Sequence, residues 1–571
     1  MEEEENDVYD GRHENLPDWA AAQRGGHRVD QPDLQPDPLH ILQMKLLPLL
    51  LFIVTTSQAL AAEDGTTKPR AIDGIAGDWV GGFEDDKNWI YLQVHFKDEE
   101  GKASGTLDRP LEFVMGARLG RVDFQSSRIQ FEVETPERLS FVGNVRAGVI
   151  AGQVTAGRRS APFHFTRIAK VDVSGLGGIY RFGEDHFITL RPGDETGVNA
   201  LALTDFKTAE SRVLFPLDEQ TFFCGDKFLV THPVEATFQF LSQTGAQMQL
   251  SWKRTGSAPI IGTRQSFAHE EIAFTNGDVR LGGTLSLPDA SGPHPAIVFI
   301  HGSGPGDRNA LRFIADFFLV NGFATVVYGK RTNWIASSFS DLTDDALATV
   351  RVLKSRADIR QVGLWGISQG GWLVALAASR SPDVAFIINE SGPGMTPEEQ
   401  MQFTVRTKLQ AAGFDATAML TVSNLVRKNF DCVRTGSGWD ELARANDRAR
   451  REPWFTHMSS LEMRRDDPPF WKLNAGFDPV PALRQVRCPV LALYGARDTL
   501  VPAKPSADIW RAALKEAGNK DVTVKIFSTG DHGLRETTGG TLKDLPKSRG
   551  FVPGYFETQK EWALRRVAAE H

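Results

Sequence analysis

The chain has 571 residues, 41% of them hydrophobic and 24% charged, with 64 Lys+Arg against 72 Asp+Glu for a net charge of −8. That length argues for more than one domain, and the apolar fraction excludes a chain disordered throughout. There is no basic excess to attract nucleic acid, and three cysteines (Cys224, Cys432, Cys488) exclude a disulfide scaffold or a structural zinc cluster.

Residues 1–43 carry eleven acids and three bases, which accounts for the whole net charge. This leader contains Pro and Asp without hydrophobic periodicity and reads as disordered. Met44-Lys45 then opens a short positive region, followed by an apolar run from Leu46 to Val54 and the small-residue end Ala59-Leu60-Ala61. This is the layout of a secretory signal peptide spanning 44–61 and cleaved after Ala61. The run is short for a membrane span and contains Pro48, so no stable span is expected after cleavage. On this reading translation starts at Met44, residues 1–43 are not translated, and the exported protein, periplasmic or secreted, begins near Ala62.

Residues 62–266 form a β-rich region of short alternating runs, among them Trp89 to Val94, Arg128 to Glu134 and Phe163 to Ile168, separated by Gly, Asp and Pro. A barrel or sandwich is expected. The segment Gly74-Ile75-Ala76-Gly77-Asp78-Trp79 has a faint echo in Gly175-Leu176-Gly177-Gly178-Ile179-Tyr180, which allows two related β-units. The region offers no catalytic constellation; His164, His186 and His232 read as surface or packing residues.

The period changes near residue 270. A hairpin with a type I′ turn at Asn276-Gly277 is followed by the apolar run Ala296 to Ile300, a strand buried on both faces. Helices are expected over 311–320, 341–355, 369–379, 505–517 and 557–569, alternating with strands at 323–328, 361–365, 384–389, 490–494 and 522–527. Such alternation implies a mostly parallel sheet with helices on both faces. Between about 393 and 475 the alternation stops, and a helical cap insertion is expected.

Gly366-Ile367-Ser368-Gln369-Gly370 lies between a buried strand and a helix. This G-x-S-x-G pattern is a nucleophile elbow: the turn presents the Ser368 hydroxyl above the sheet, and Gly366 and Gly370 let strand and helix approach closely. A serine needs a base, and the base needs an orienting acid. Only His457, His532 and His571 follow the serine; the first lies in the insertion and the last ends the chain, which leaves His532. Asp498, just after a strand, is the acid, with Asp531 a rival whose side chain should diverge from the adjoining histidine. The oxyanion donors expected are the N–H of Gln369 and, from the loop His301 to Arg308, that of Ser303 or alternatively Gly302.

The loop HGSGPGDR, the elbow GISQGG, the segment GARDTLVP and DHG, in that order over residues 267–571, resemble α/β-hydrolases of the bacterial esterase and serine-aminopeptidase type. That family often carries D-K-R-G-x-G-x-S where this chain has Gly329-Lys330-Arg331-Thr332, so the loop there is expected to differ in shape. The resemblance implies an α/β-hydrolase fold and hydrolysis of an ester, thioester or small amide. The expectation is an exported serine esterase acting on a small-molecule ester or short acyl substrate through Ser368, His532 and Asp498, with no metal or cofactor. The oligomeric state is left open. A serine peptidase or acyl thioesterase on the same triad is the alternative, and a non-catalytic binding protein a remote one. Acids at 398, 399, 415, 431, 440, 441 and 462 in the insertion are candidate grips for a peptide ammonium, although most adjoin other polar residues at helical spacing, which favours a solvated face. Its Met and aromatic residues could line an acyl pocket or pack the insertion's own core.

Overall fold

A computed structural model describes residues 74–568 apart from 100–101, 136, 194–197, 242–247 and 459–461. The leader, the signal-like segment and His571 lie outside the described residues.

The β-rich region is two units. In the first, nine strands from Gly77–Asp85 to Arg159–Ile168 form one antiparallel sheet in which the first strand pairs with the last. Alternate side chains, including Trp79, Phe131, Phe141 and Phe165, fill its buried core. The second unit is a closed barrel of eight strands, Gly178–Phe182 through Ile260–Arg264, each paired with the next in sequence. Its core is equally aromatic, with Tyr180, Phe222, Phe238 and Trp252.

The sequence echo has a geometric basis. Trp79 donates its indole N–H to the carbonyl of Ile75 at 2.8 Å, and Tyr180 its hydroxyl to that of Leu176 at 2.9 Å, four residues back in each case. Two residues before each ring stands a glycine of positive φ, Gly77 (124°) and Gly178 (139°). Over each glycine lies an arginine from the unit's last strand, Arg167 or Arg264, which is also the cross-strand partner of the ring. A side chain at either glycine would meet that guanidinium, at 3.3 and 2.8 Å respectively.

The remaining residues build an eight-stranded sheet whose strands, counted along the chain from Ala268–Asn276, lie in the order 1-2-4-3-5-6-7-8. The first hairpin is antiparallel, its second strand also pairs antiparallel with Ala324–Tyr328, and the strands from His294–Ile300 onward pair in parallel with one another. Asn276 pairs with Val279, so the hairpin loop is Gly277-Asp278, one residue later than the sequence suggested. Of that pair only Gly277 has positive φ (56°), the mark of a II′ rather than a I′ turn. Along the strand His294–Ile300, Ala296, Val298 and Ile300 join one core with the helices Phe339–Lys354, Gln369–Arg380 and Ala503–Glu516. Ile297 and Phe299 join another with Arg312–Val320 and Tyr555–Val567. Both faces of this strand are therefore buried, which is why it reads as an unbroken apolar run.

The insertion is a separate helical layer. Pro397–Ala411 opens with a Thr396/Glu399 capping box, Ala416–Thr435 starts at the Asp415 cap and stops at Gly436, and Trp439–Ala449 follows. Met401, Phe430, Trp439 and Trp454 pack together in a core of its own. The barrel docks on the α/β part. Phe206 sits against Phe317 and Phe556, and the backbones of Ser211, Phe228 and Leu229 donate to the carbonyls of Arg549, Ser548 and Pro546. All three cysteines are free thiols.

Candidate active site

The strand Ile359–Ile367 turns into the helix Gln369–Arg380 at Ser368, whose backbone lies at φ 55°, ψ −119°. This is a strained region for a residue with a side chain, costing on the order of 1–3 kcal/mol, and the surrounding packing must hold it. The glycines explain how. A Cβ at Gly366 would lie 2.4 Å from the Gly370 carbonyl oxygen, and one at Gly370 would lie 2.6 Å from that of Ile300. The Ser368 N–H donates to the carbonyl of Glu390 on the neighbouring strand, which fixes the elbow to the sheet.

His532 donates its Nδ1–H to Asp498 Oδ2 at 2.7 Å, which leaves Nε2 as the free basic nitrogen. The other carboxylate oxygen of Asp498 accepts the N–H groups of Leu500 and Val501, at 2.7 and 2.8 Å, so the acid is held in one orientation. Asp531 turns away from the ring and accepts the backbone N–H groups of Gly533 and Arg535. Burial alone would lower the affinity of the His532 ring for a proton. The charge and hydrogen bond of Asp498, with the charge of Asp531, outweigh it and raise the pKa above its usual value. Burial also pushes the Asp531 carboxyl up to about 6.

Ser368 and His532 open onto one cavity of about 620 Å³, which Gly302 and Ser303 also line. Gly302 lies directly against Ser368, since a Cβ there would meet the Ser368 Cβ at 3.4 Å. Gln369 stands at the first position of the elbow helix, where backbone N–H groups have no helical partner.

Two buried features beside these residues were not anticipated. Lys330 donates to the carbonyls of Gly302 and Gly304 and to Gln369 Oε1, with its ammonium also near the Trp334 ring. The Gly302 carbonyl and the Ser303 N–H belong to one trans peptide and point in opposite directions. By holding the first, Lys330 fixes the roll of the second. Burial pushes this lysine down to about 7. His301, neutral because burial and then the Lys330 charge take it down to about 4, donates Nε2–H to the Tyr328 carbonyl and anchors the same loop. Arg331 reaches the other way, to Asp345 and the carbonyl of Asp341 on the helix Phe339–Lys354. The unusual Gly329-Lys330-Arg331-Thr332 segment is thus a two-way brace. Its departure from the family pattern was visible in the sequence, but its direction was not. The second feature is Glu390, pushed up to about 8 by burial and accepting the Tyr555 hydroxyl at 2.7 Å directly behind the elbow.

The insertion lines the cavity, but with other residues than its Met and large aromatics, which follow the second of the two readings offered for them. The cap contributes Thr407, Lys408, Ala411, Ala412 and His457, whereas Met401, Phe430, Trp439 and Trp454 are in the cap's own core. None of the seven acids weighed as ammonium grips lines the cavity. The β-rich region, in which the sequence shows no catalytic group, supplies Leu111 and Glu112 to the wall. No cluster of potential metal ligands occurs among the described residues.

Fold and site have the form of an α/β-hydrolase, and sequence comparison points the same way. The X-Pro dipeptidyl-peptidase (S15) family matches residues 258–533, a span that contains Ser303, Ser368, Asp498 and His532. Esterase EstD of Thermotoga maritima is 27% identical over 282 residues, covering 47% of this chain and 60% of that protein. The quorum-quenching protein AidA of Acinetobacter baumannii is 28% identical over 130 residues, 21% of this chain and 42% of that one. The chain therefore spans less than two thirds of the length of either curated relative. Among solved structures, an esterase of Pyrococcus furiosus aligns with 53% of this chain and 92% of its own, at 16% identity and a TM-score of 0.35. The chain is similar to α/β-hydrolases of the serine-esterase kind.

Proposed function

We propose that this protein is a serine hydrolase of carboxylic esters. The observation that carries this reading is the 2.7 Å His532–Asp498 hydrogen bond beside a strained Ser368 on the same cavity. Ser368 Oγ attacks the ester carbonyl while His532 Nε2 takes its proton. The N–H groups of Gln369 and Ser303 stabilise the oxyanion, with Gly302 as the neighbouring donor. His532 then protonates the departing alcohol, and water, activated by the same nitrogen, releases the acid from the acyl-enzyme. Asp498 holds the imidazole and stabilises its charged form.

A peptidase on the same triad is the second reading, favoured by the match to a dipeptidyl-peptidase family. Against it, the two acids that line the cavity are already engaged: Glu112 by Arg109, and Asp531 by two backbone N–H groups. One oxygen of each is thus taken before a substrate ammonium arrives.

A fluorophosphonate probe should label the wild-type protein at Ser368 and leave Ser368→Ala unlabelled, with kcat on the ester falling about 10³-fold or more. Peptides and unactivated alkyl esters assayed side by side separate the two readings. Release of N-terminal residues with esters untouched would make the peptidase correct, and failure to label would leave a non-catalytic binding protein.

The signal-like segment 44–61 further supports export to the periplasm or medium. N-terminal sequencing of the exported protein should begin near Ala62; finding Met1 on the functional protein would refute this.

A further inference from the structure

The wall of the cavity is unevenly charged. Lys408 near the end of the helix Pro397–Ala411, His457 in the cap, and Lys543 in the loop below all line it, together with the nucleophile. Among the described residues, neither ammonium makes a hydrogen bond or an ion pair. The acids that could neutralise them are engaged elsewhere. Asp544, next to Lys543, accepts from the hydroxyls of Thr538 and Thr541 and from the N–H groups of Gly539 and Thr541. Glu112 is held by Arg109, and Asp531 by its own loop. The three basic groups also feel one another. Burial, then the charges of Lys408 and Lys543, hold the His457 ring below its usual pKa, and burial does the same to Lys408. A half-buried cation without a partner is unfavourable, and an anion entering the cavity would relieve it. The cap carries many arginines, but Arg434 and Arg450 are paired with cap carboxylates. Lys408 is left for the cavity.

We propose that the substrate of this site carries a carboxylate or other anionic group away from its scissile ester, bound by Lys408, Lys543 and His457. This rests on the ester-hydrolase reading above. It narrows the substrate class from short neutral esters to half-esters of dicarboxylic acids or esters of acid-bearing alcohols.

The test uses matched pairs on the full chain, each rate normalised to the pair's reactivity with hydroxide. The mono-p-nitrophenyl ester of glutaric acid against p-nitrophenyl hexanoate places the charge on the acyl side. The acetate of p-hydroxybenzoate against p-tolyl acetate places it on the alcohol side, and p-acetoxyphenyl phosphate replaces carboxylate by phosphate. In at least one arm kcat/KM should favour the charged ester by about 10-fold or more, a preference that falls with salt. The ratio of charged to neutral should collapse toward one in Lys408→Gln, and shrink in Lys543→Gln, a change at an exposed loop position. A ratio near one in every arm for the wild type, or a preference that survives both substitutions, overturns the proposal while leaving the esterase intact. Turnover of no ester in either series overturns the esterase reading itself.

Discussion

At the scale of single residues, the proposed mechanism makes His532 decide the pH response. Its ring must be neutral at Nε2 to accept the serine proton, and its pKa is raised above the ordinary 6.5. The active form is therefore lost below that raised value and gained as pH rises through it. The ascending limb of kcat/KM should have its midpoint above 6.5, and Asp531→Asn should move the midpoint down by removing one of the negative charges that raise it. An unmoved limb in that variant would mean that Asp531 is electrostatically silent. The pairing of His532 with Asp498 was legible from type and order alone, because chain order and the short list of histidines left few choices. The divergence of Asp531 rests on backbone N–H groups that no composition reveals.

At the scale of elements, the loop His301 to Arg308 and the segment Gly329 to Thr332 act as one piece, joined by bonds between residues 26 and 28 apart in the chain. In the proposed mechanism Lys330 touches no reacting atom; it is a positioning residue that sets the tilt of the Gly302–Ser303 peptide. Replacing it by Met leaves two carbonyls without their donor and frees that peptide to roll. We expect Lys330→Met to lower kcat by about 10- to 100-fold with KM little changed, since one oxyanion donor contributes about 10²–10³ in rate. A parallel rise in KM with kcat retained would indicate substrate contact instead. The sequence showed that this loop departs from the family pattern; which groups its lysine would meet depends on a parallel pairing between strands distant in the chain.

On the scale of the whole molecule, the β-rich half packs on the α/β half and reaches the cavity. From the sequence, a chain beginning near Phe267 would be expected to keep its chemistry on a small ester. The structure shows what such a chain would lose. Phe206 and Ala209 of the barrel lie in the same core as Phe317 and Phe556, and Thr189 bonds Asp316 at 2.7 Å. Removing the barrel exposes these aromatic faces, each worth about 1.5–3 kcal/mol when fully buried, and removing the nine-stranded unit with it takes Leu111 and Glu112 from the cavity. Such a truncated chain should melt well below the full chain and, where soluble and folded by circular dichroism, should show a raised KM. Equal Tm and kcat/KM in both would refute the coupling.

By itself the sequence determined what is local or periodic. The unbroken apolar strand at Ala296 to Ile300, the strand–helix alternation after it, the elbow at Ser368 and the cap boundary near 393–475 all follow from hydrophobic period and glycine placement. Tertiary structure alone decided what depends on residues far apart in the chain. It joined Trp79 to Arg167 and Tyr180 to Arg264, turning a faint echo into two units built on one device. It buried the cap's aromatics in their own core, and it brought Lys408, His457 and Lys543 to the cavity that holds Ser368. The physical reason is the same in each case. Pattern records which face of an element is buried, whereas the partner of a buried or unpaired charge is chosen only when distant elements pack.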